Sequence, residues 1–159
     1  VVKVNLTGSL KPGCNPKEVI LKMLQLVTIK GGLGNVYEYV GPGAAALEVP
    51  ARATIANMGA EMGATTSIFP ADAQVKKFMT AQGRGDQYVE MLPDEDAEYD
   101  ECIDINLSEL EPLISCPHQP DNVIPLKDAE KKRVQQVFIG SCTNASYADI
   151  AKDIMSTMT

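Results

Sequence analysis

Val2-Lys3-Val4-Asn5-Leu6, broken by Thr7-Gly8-Ser9 and followed by Asn15-Pro16, is the stretch on which the fold turns. Its apolar and polar residues alternate, the period of a strand with one buried face. Lys11-Pro12-Gly13 completes the break. Asn15 is a good helix cap and Pro16 suits a first helical turn. Val19, Ile20, Met23, Leu24 and Val27 then recur at helical spacing as far as Gly31-Gly32. A strand feeding a helix in this way is one βα unit.

Working outward, the same alternation of patterns continues. Asn35 to Val40 predicts a second strand and Gly41-Pro42-Gly43 a turn. Ala44 to Gly63 predicts a helical region interrupted at Pro50. Thr65 to Phe69 is β-branched and aromatic between glycine and proline, a short strand. Asp72 to Gln82 follows as a helix ended by Gly83-Arg84-Gly85. The acidic stretch Leu92 to Asp100 is expected to be a solvated connection, Glu101 to Asn106 a strand, and the proline-rich Glu111 to Pro125 a long loop or linker. Val134 to Ile139 is expected to be the last strand, with Gly140 to Asn144 turning into a helix from Tyr147 to Met158. The fold class expected is therefore α/β, a mainly parallel sheet flanked by helices. A boundary near Lys131 would separate a first domain, 1–130, from a truncated second one, 131–159.

Composition narrows the function classes. The 159 residues are 45% hydrophobic and 22% charged, the balance of a packed globular chain. Net charge is -7 and Lys131-Lys132-Arg133 is the largest basic run, which argues against a nucleic-acid partner. Apolar runs fall short of a bilayer span, so no membrane partner is expected. Cysteines stand at 14, 102, 116 and 142 without a CxxC pair or the spacing of a disulfide framework, which reads as a reducing, cytoplasmic compartment. Val1 is not a Met, and the last helical pattern has no stop signal; the chain reads as an internal segment of a longer protein.

Three features could carry chemistry. In Phe138-Ile139-Gly140-Ser141-Cys142-Thr143-Asn144, a strand-to-helix turn presents a cysteine where open amides and a helix N-terminus favour a thiolate. Cys142 is then a nucleophile or a metal ligand, or else a small buried hydrophobe. Asn57 and Glu61 lie four apart on the helix that Pro50 starts, about 40° apart around its axis, and can act on one object. The bland alternative is a helix shoulder meeting solvent. Lys30-Gly31-Gly32-Leu33-Gly34 lacks the Lys-Ser/Thr of a phosphate loop and follows a helix, so it reads as a helix end and turn. His118, between prolines, and Cys14 and Cys102 read as structural.

Ala51-Arg-Ala-Thr-Ile-Ala-Asn-Met-Gly-Ala-Glu-Met-Gly-Ala-Thr-Thr-Ser-Ile-Phe-Pro70 and Ile139-Gly-Ser-Cys-Thr-Asn-Ala-Ser146 together resemble the aconitase family. Val4 to Leu10, Lys30-Gly-Gly32, Glu38 to Gly43 and Asp104 to Leu110 look like the same family in the same order. Asn57-Met-Gly-Ala-Glu61 followed by Gly63-Ala-Thr-Thr66 is closer to aconitases proper than to isopropylmalate dehydratases. The resemblance implies an iron-sulfur hydro-lyase of the tricarboxylic acid cycle, interconverting citrate and isocitrate through cis-aconitate. It implies a 4Fe-4S cluster in the complete protein, held by three cysteines of which Cys142 is the first, with Asn144 beside it. It makes Glu61 the carboxylate that partners a catalytic His, and Asn57 an amide near the cluster. The later Cys-Gly-Pro-Cys pair, the Asp-His pairs, the substrate-binding arginines and the base serine have no counterpart here. The partners implied are a small tricarboxylate and the remaining domains of the parent chain, and the segment alone is expected to be inactive. The other reading is a non-catalytic anion-binding or iron-responsive regulatory module of the same fold.

Overall fold

The opening strand forms as its alternation dictates: β1 (Val2–Thr7) buries Val2, Val4 and Leu6 and leaves Lys3, Asn5 and Thr7 half-buried. The structure is a computed structural model that describes residues 1–141, 143, 145–147 and 149–151. Asn15 starts α1 (Pro16–Val27) through a capping box in which its side chain accepts from the Lys17 amide while the Glu18 carboxylate accepts from the Asn15 amide. Of the predicted stripe, Val19, Ile20, Met23 and Leu24 are fully buried in the core and Val27 is half-buried against it.

β2 (Val36–Val40), β3 (Thr66–Ile68) and β4 (Glu101–Asn106) complete a four-stranded sheet of order β3-β2-β1-β4. Every pairing in it is parallel. The expected α/β architecture is therefore observed. Tyr37 and Tyr39 join Val2, Val4 and Leu6 on the packed face, where Ile55, Met62, Ile105 and Leu107 close the core. The other face is polar, with Asn5 donating to Asp104 at 2.7 Å and Tyr99 donating to Glu38 at 2.9 Å beneath the Lys3 ammonium.

Between β2 and β3 the helical region is more finely divided than its periodicity suggests. The expected turn at Gly41-Pro42-Gly43 is instead the start of α2 (Pro42–Ala46), with Gly41 as its cap. Pro fixes φ for a first helical turn as readily as for a loop. After Leu47 the chain enters α3 (Val49–Asn57), then tightens into a 3₁₀ turn, Met58–Met62, that ends at Gly63 in the left-handed region. Here Gly59 lies so close to β3 that a Cβ would stand 2.5 Å from Ser67 Oγ. The helix expected over Asp72 to Gln82 is α4 (Ala73–Ala81), with Asp72 as its cap.

Two expectations in the second half need correction. Glu111 to Pro125 is not a free linker: Leu113–Ser115 (β5) and Val123–Pro125 (β6) form an antiparallel hairpin, and Val123 is part of the core. Proline sits at the edge of that ladder, where a missing amide costs little. Val134 to Ile139, expected to be a strand, is not one. Val137 and Phe138 are 73% and 84% exposed, and no strand among the described residues pairs with the segment. A strand exists only by its ladder, so alternation without a neighbour leaves irregular backbone. Beyond it, helical conformation is described at Tyr147, Asp149, Ile150 and Ala151, with Ser146 and Asp149 exchanging cap bonds; the rest of the expected helix lies outside the described residues.

Candidate functional site

Helix α3 is fixed at its start before it reaches the site. Arg52, almost fully buried, donates Nε to Leu47 O at 2.9 Å, one terminal nitrogen to Pro70 O at 3.0 Å and the other to Asp72 at 2.7 Å. Its guanidinium also lies 5.7 Å from the centre of the Phe69 ring. Burial alone would raise the Asp72 carboxyl pKa, but the Arg52 hydrogen bond and charge, with the Gln74 and Val75 amides, hold it below its ordinary value. One buried cation thus joins α3, the end of β3 and the cap of α4.

From this base α3 leads into the 3₁₀ turn carrying Glu61, which is exposed. Asn57 is the last residue of α3 and is also exposed. Their predicted common face needs correction, because a 3₁₀ segment advances about 120° per residue and swings the two side chains apart. Glu61 and Met58, not Asn57, line a cleft of about 370 Å³ with Lys17, Phe138, Ile139, Gly140, Ser141 and Thr143. The cleft brings Glu61 and the α1 residue Lys17 together with the residues that flank Cys142 in the chain. Cys142 and Asn144 themselves lie outside the described residues.

That backbone is constrained. Ser141 has φ 134, a region that an L residue enters only at a cost of about 1–3 kcal/mol and that concentrates at functional sites. Its hydroxyl accepts from the Thr143 amide at 3.2 Å. Thr143 O accepts from the hydroxyl of Thr54, on α3, at 3.0 Å. Thr54, Lys17 and Met58 were not singled out by sequence reasoning. Their relevance depends on contacts with residues far along the chain, and spacing carries no signal for such contacts.

The glycine-rich Lys30 to Gly34 stretch is a helix end, as expected: Thr28 closes α1, and Gly32 donates to Met62 O at 3.0 Å. A Cβ on Gly32 would stand 2.6 Å from that same oxygen, so this glycine lets the loop lie against the turn that bears Glu61. Among the described residues no three His, Cys, Asp or Glu side chains converge on a metal-sized site. Cys14 bonds Leu110 O, Cys102 lies exposed on β4 and Cys116 follows β5. The described residues therefore do not make a cluster site among themselves. Also among them, no helix is long and apolar enough to cross a membrane.

Residues 1–156 match the sequence model of the aconitase family (aconitate hydratase). A mitochondrial aconitate hydratase of Gracilaria gracilis is 44% identical over 167 residues, covering 96% of this chain and 21% of the relative. One from Schizosaccharomyces pombe is 43% identical over the same shares, and one from Saccharomyces cerevisiae is 38% identical, covering 96% of this chain and 22% of the relative. The chain thus spans about a fifth of the length of the curated relatives it matches. These names overturn the expectation of a cytoplasmic compartment, since the matched relatives are mitochondrial. Dispersed, unpaired cysteines indicate reducing surroundings but do not distinguish one reducing compartment from another.

Proposed function

Because this chain belongs to the aconitase family, we propose that it is a segment of an aconitase-type hydro-lyase that interconverts citrate and isocitrate through cis-aconitate in mitochondria. The observation that carries this reading is the cleft in which Glu61 faces the turn around Cys142. In the complete protein a 4Fe-4S cluster would supply a Lewis-acidic iron, and Cys142 would be one of its three cysteine ligands, with Asn144 alongside. Residues 1–130 would form one domain, and 131–159 would open the next.

The chain's own contribution is positional and acid-base. Glu61, exposed at the cleft, can hold a proton on its carboxylate or orient a His brought by another domain. Lys17 lines the same cleft, where its positive charge complements a tricarboxylate. Asn57, one turn earlier, would meet the same site from the end of α3 by a different approach than Glu61.

The test is Cys142→Ala in the complete protein, reading the visible and electron-paramagnetic signature of the cluster after anaerobic reconstitution. Loss of the 4Fe-4S signature is expected. Its retention would remove Cys142 from the ligand set. A wild-type protein that holds the cluster but does not turn over citrate would instead be a regulatory module.

A further inference from the structure

Resting on the reading that the turn around Cys142 belongs to the active site, we propose that Thr54 is a positioning residue whose hydroxyl clamps this turn to helix α3. Thr54 is only 5% exposed, and its Oγ1 is 3.0 Å from Thr143 O, across 89 residues of sequence. The intrahelical alternative, Pro50 O, is farther away at 3.3 Å. A threonine inside a helix ordinarily turns its hydroxyl back to the carbonyl four residues earlier. A hydroxyl has one proton, and here the shorter contact lies outside the helix.

Two further observations give the bond a purpose. Thr54 stands two residues beyond Arg52, whose three hydrogen bonds tie α3 to Leu47, Pro70 and Asp72, so the clamp is anchored on a rigid element. The residue at the other side of the turn, Ser141, holds φ 134, and such a backbone persists only where its surroundings over-determine it. The Thr143 amide is held by Ser141 Oγ and its carbonyl by Thr54. Residues on both sides of Cys142 are therefore constrained from within this chain, before any neighbouring domain contributes.

The experiment compares Thr54→Val, which keeps shape and removes the hydroxyl, with Thr54→Ser, which keeps the hydroxyl. Hydrogen exchange by mass spectrometry is followed in peptides covering 138–145 and in peptides of β1 and α1, and alkylation of Cys142 is timed in the same samples. Thr54→Val should accelerate exchange in 138–145 and alkylation of Cys142 about fivefold, the population shift of one lost hydrogen bond. β1 and α1 should be unchanged, and Thr54→Ser should restore wild-type behaviour. Unaltered exchange in 138–145, equal loosening of β1, or failure of the serine to restore would each overturn the clamp. The cluster-ligand reading fails by a different result, retention of the cluster in Cys142→Ala.

Discussion

Glu61 is exposed, yet it shares a cleft with Ser141 and Thr143, and that combination suits a group that must exchange protons with something delivered from outside the chain. In the complete protein, Glu61→Gln should keep cluster content while kcat falls roughly 10²-fold, the scale for losing one acid-base participant. Steady-state kinetics with iron analysis on the same preparation decides it, and a kcat within about threefold of wild type would return Glu61 to a mere helix shoulder. The cysteines offer a second residue-scale test. Burial, with Glu18 nearby, pushes the half-buried Cys14 thiol up, whereas Cys102 is exposed on β4. Timed alkylation should modify Cys102 before Cys14, and labelling of Cys14 should need more alkaline solution than a free thiol does.

At the scale of elements, the half-buried Asp72 and the buried Glu18 respond to pH in opposite senses. Asp72 titrates below its ordinary 3.8 in the fold, so the stability it contributes is complete above that pH and is lost as pH falls through the folded value. Asp72→Asn strands the buried Arg52 and should cost on the order of 3 kcal/mol at neutral pH. In thermal melts the gap to wild type should close as pH drops below 3.8; a gap that persists into acid would discount the ion pair. For Glu18, burial raises the carboxyl above 4.5 despite the amides of Asn15, Glu18 and Leu113. The fold therefore prefers its protonated form. Wild type should lose stability relative to Glu18→Gln as pH rises through 4.5 and on to the raised value, because glutamine keeps the cap acceptor without the charge. Parallel melting curves across that range would contradict it.

For the molecule as a whole, the sheet, α1, α3 and the β5–β6 hairpin share one core, while Val134 to Ile139 lies outside it with its apolar side chains in solvent. Residues 1–130 should therefore melt as one cooperative unit, and, on the proposal that Cys142 is one of three cluster ligands, the 159-residue chain should show no citrate–isocitrate conversion after iron-sulfide reconstitution. Conversion assayed spectrophotometrically at a rate above the protein-free control would sink that expectation.

Local patterns sufficed for most of the architecture. The alternation of Val2 to Leu6, the Asn15 cap with the stripe from Val19 to Leu24, and the Asp72 cap all act within a turn or a strand, so their consequences are written in neighbouring residues. The motif around Cys142 and the Asn57 to Glu61 run carried the family resemblance in the same way. Tertiary structure alone decided the rest. Gly59 can approach Ser67, and α3 tightens into the 3₁₀ turn that parts Asn57 from Glu61. The proline-rich segment became a hairpin because Val123 found the core, and Val134 to Ile139 found no ladder partner. Glu61, Lys17 and Thr54 converge on the Cys142 turn through contacts between residues far apart in the chain, and the free energy of such contacts depends on packing that no local pattern of residues encodes.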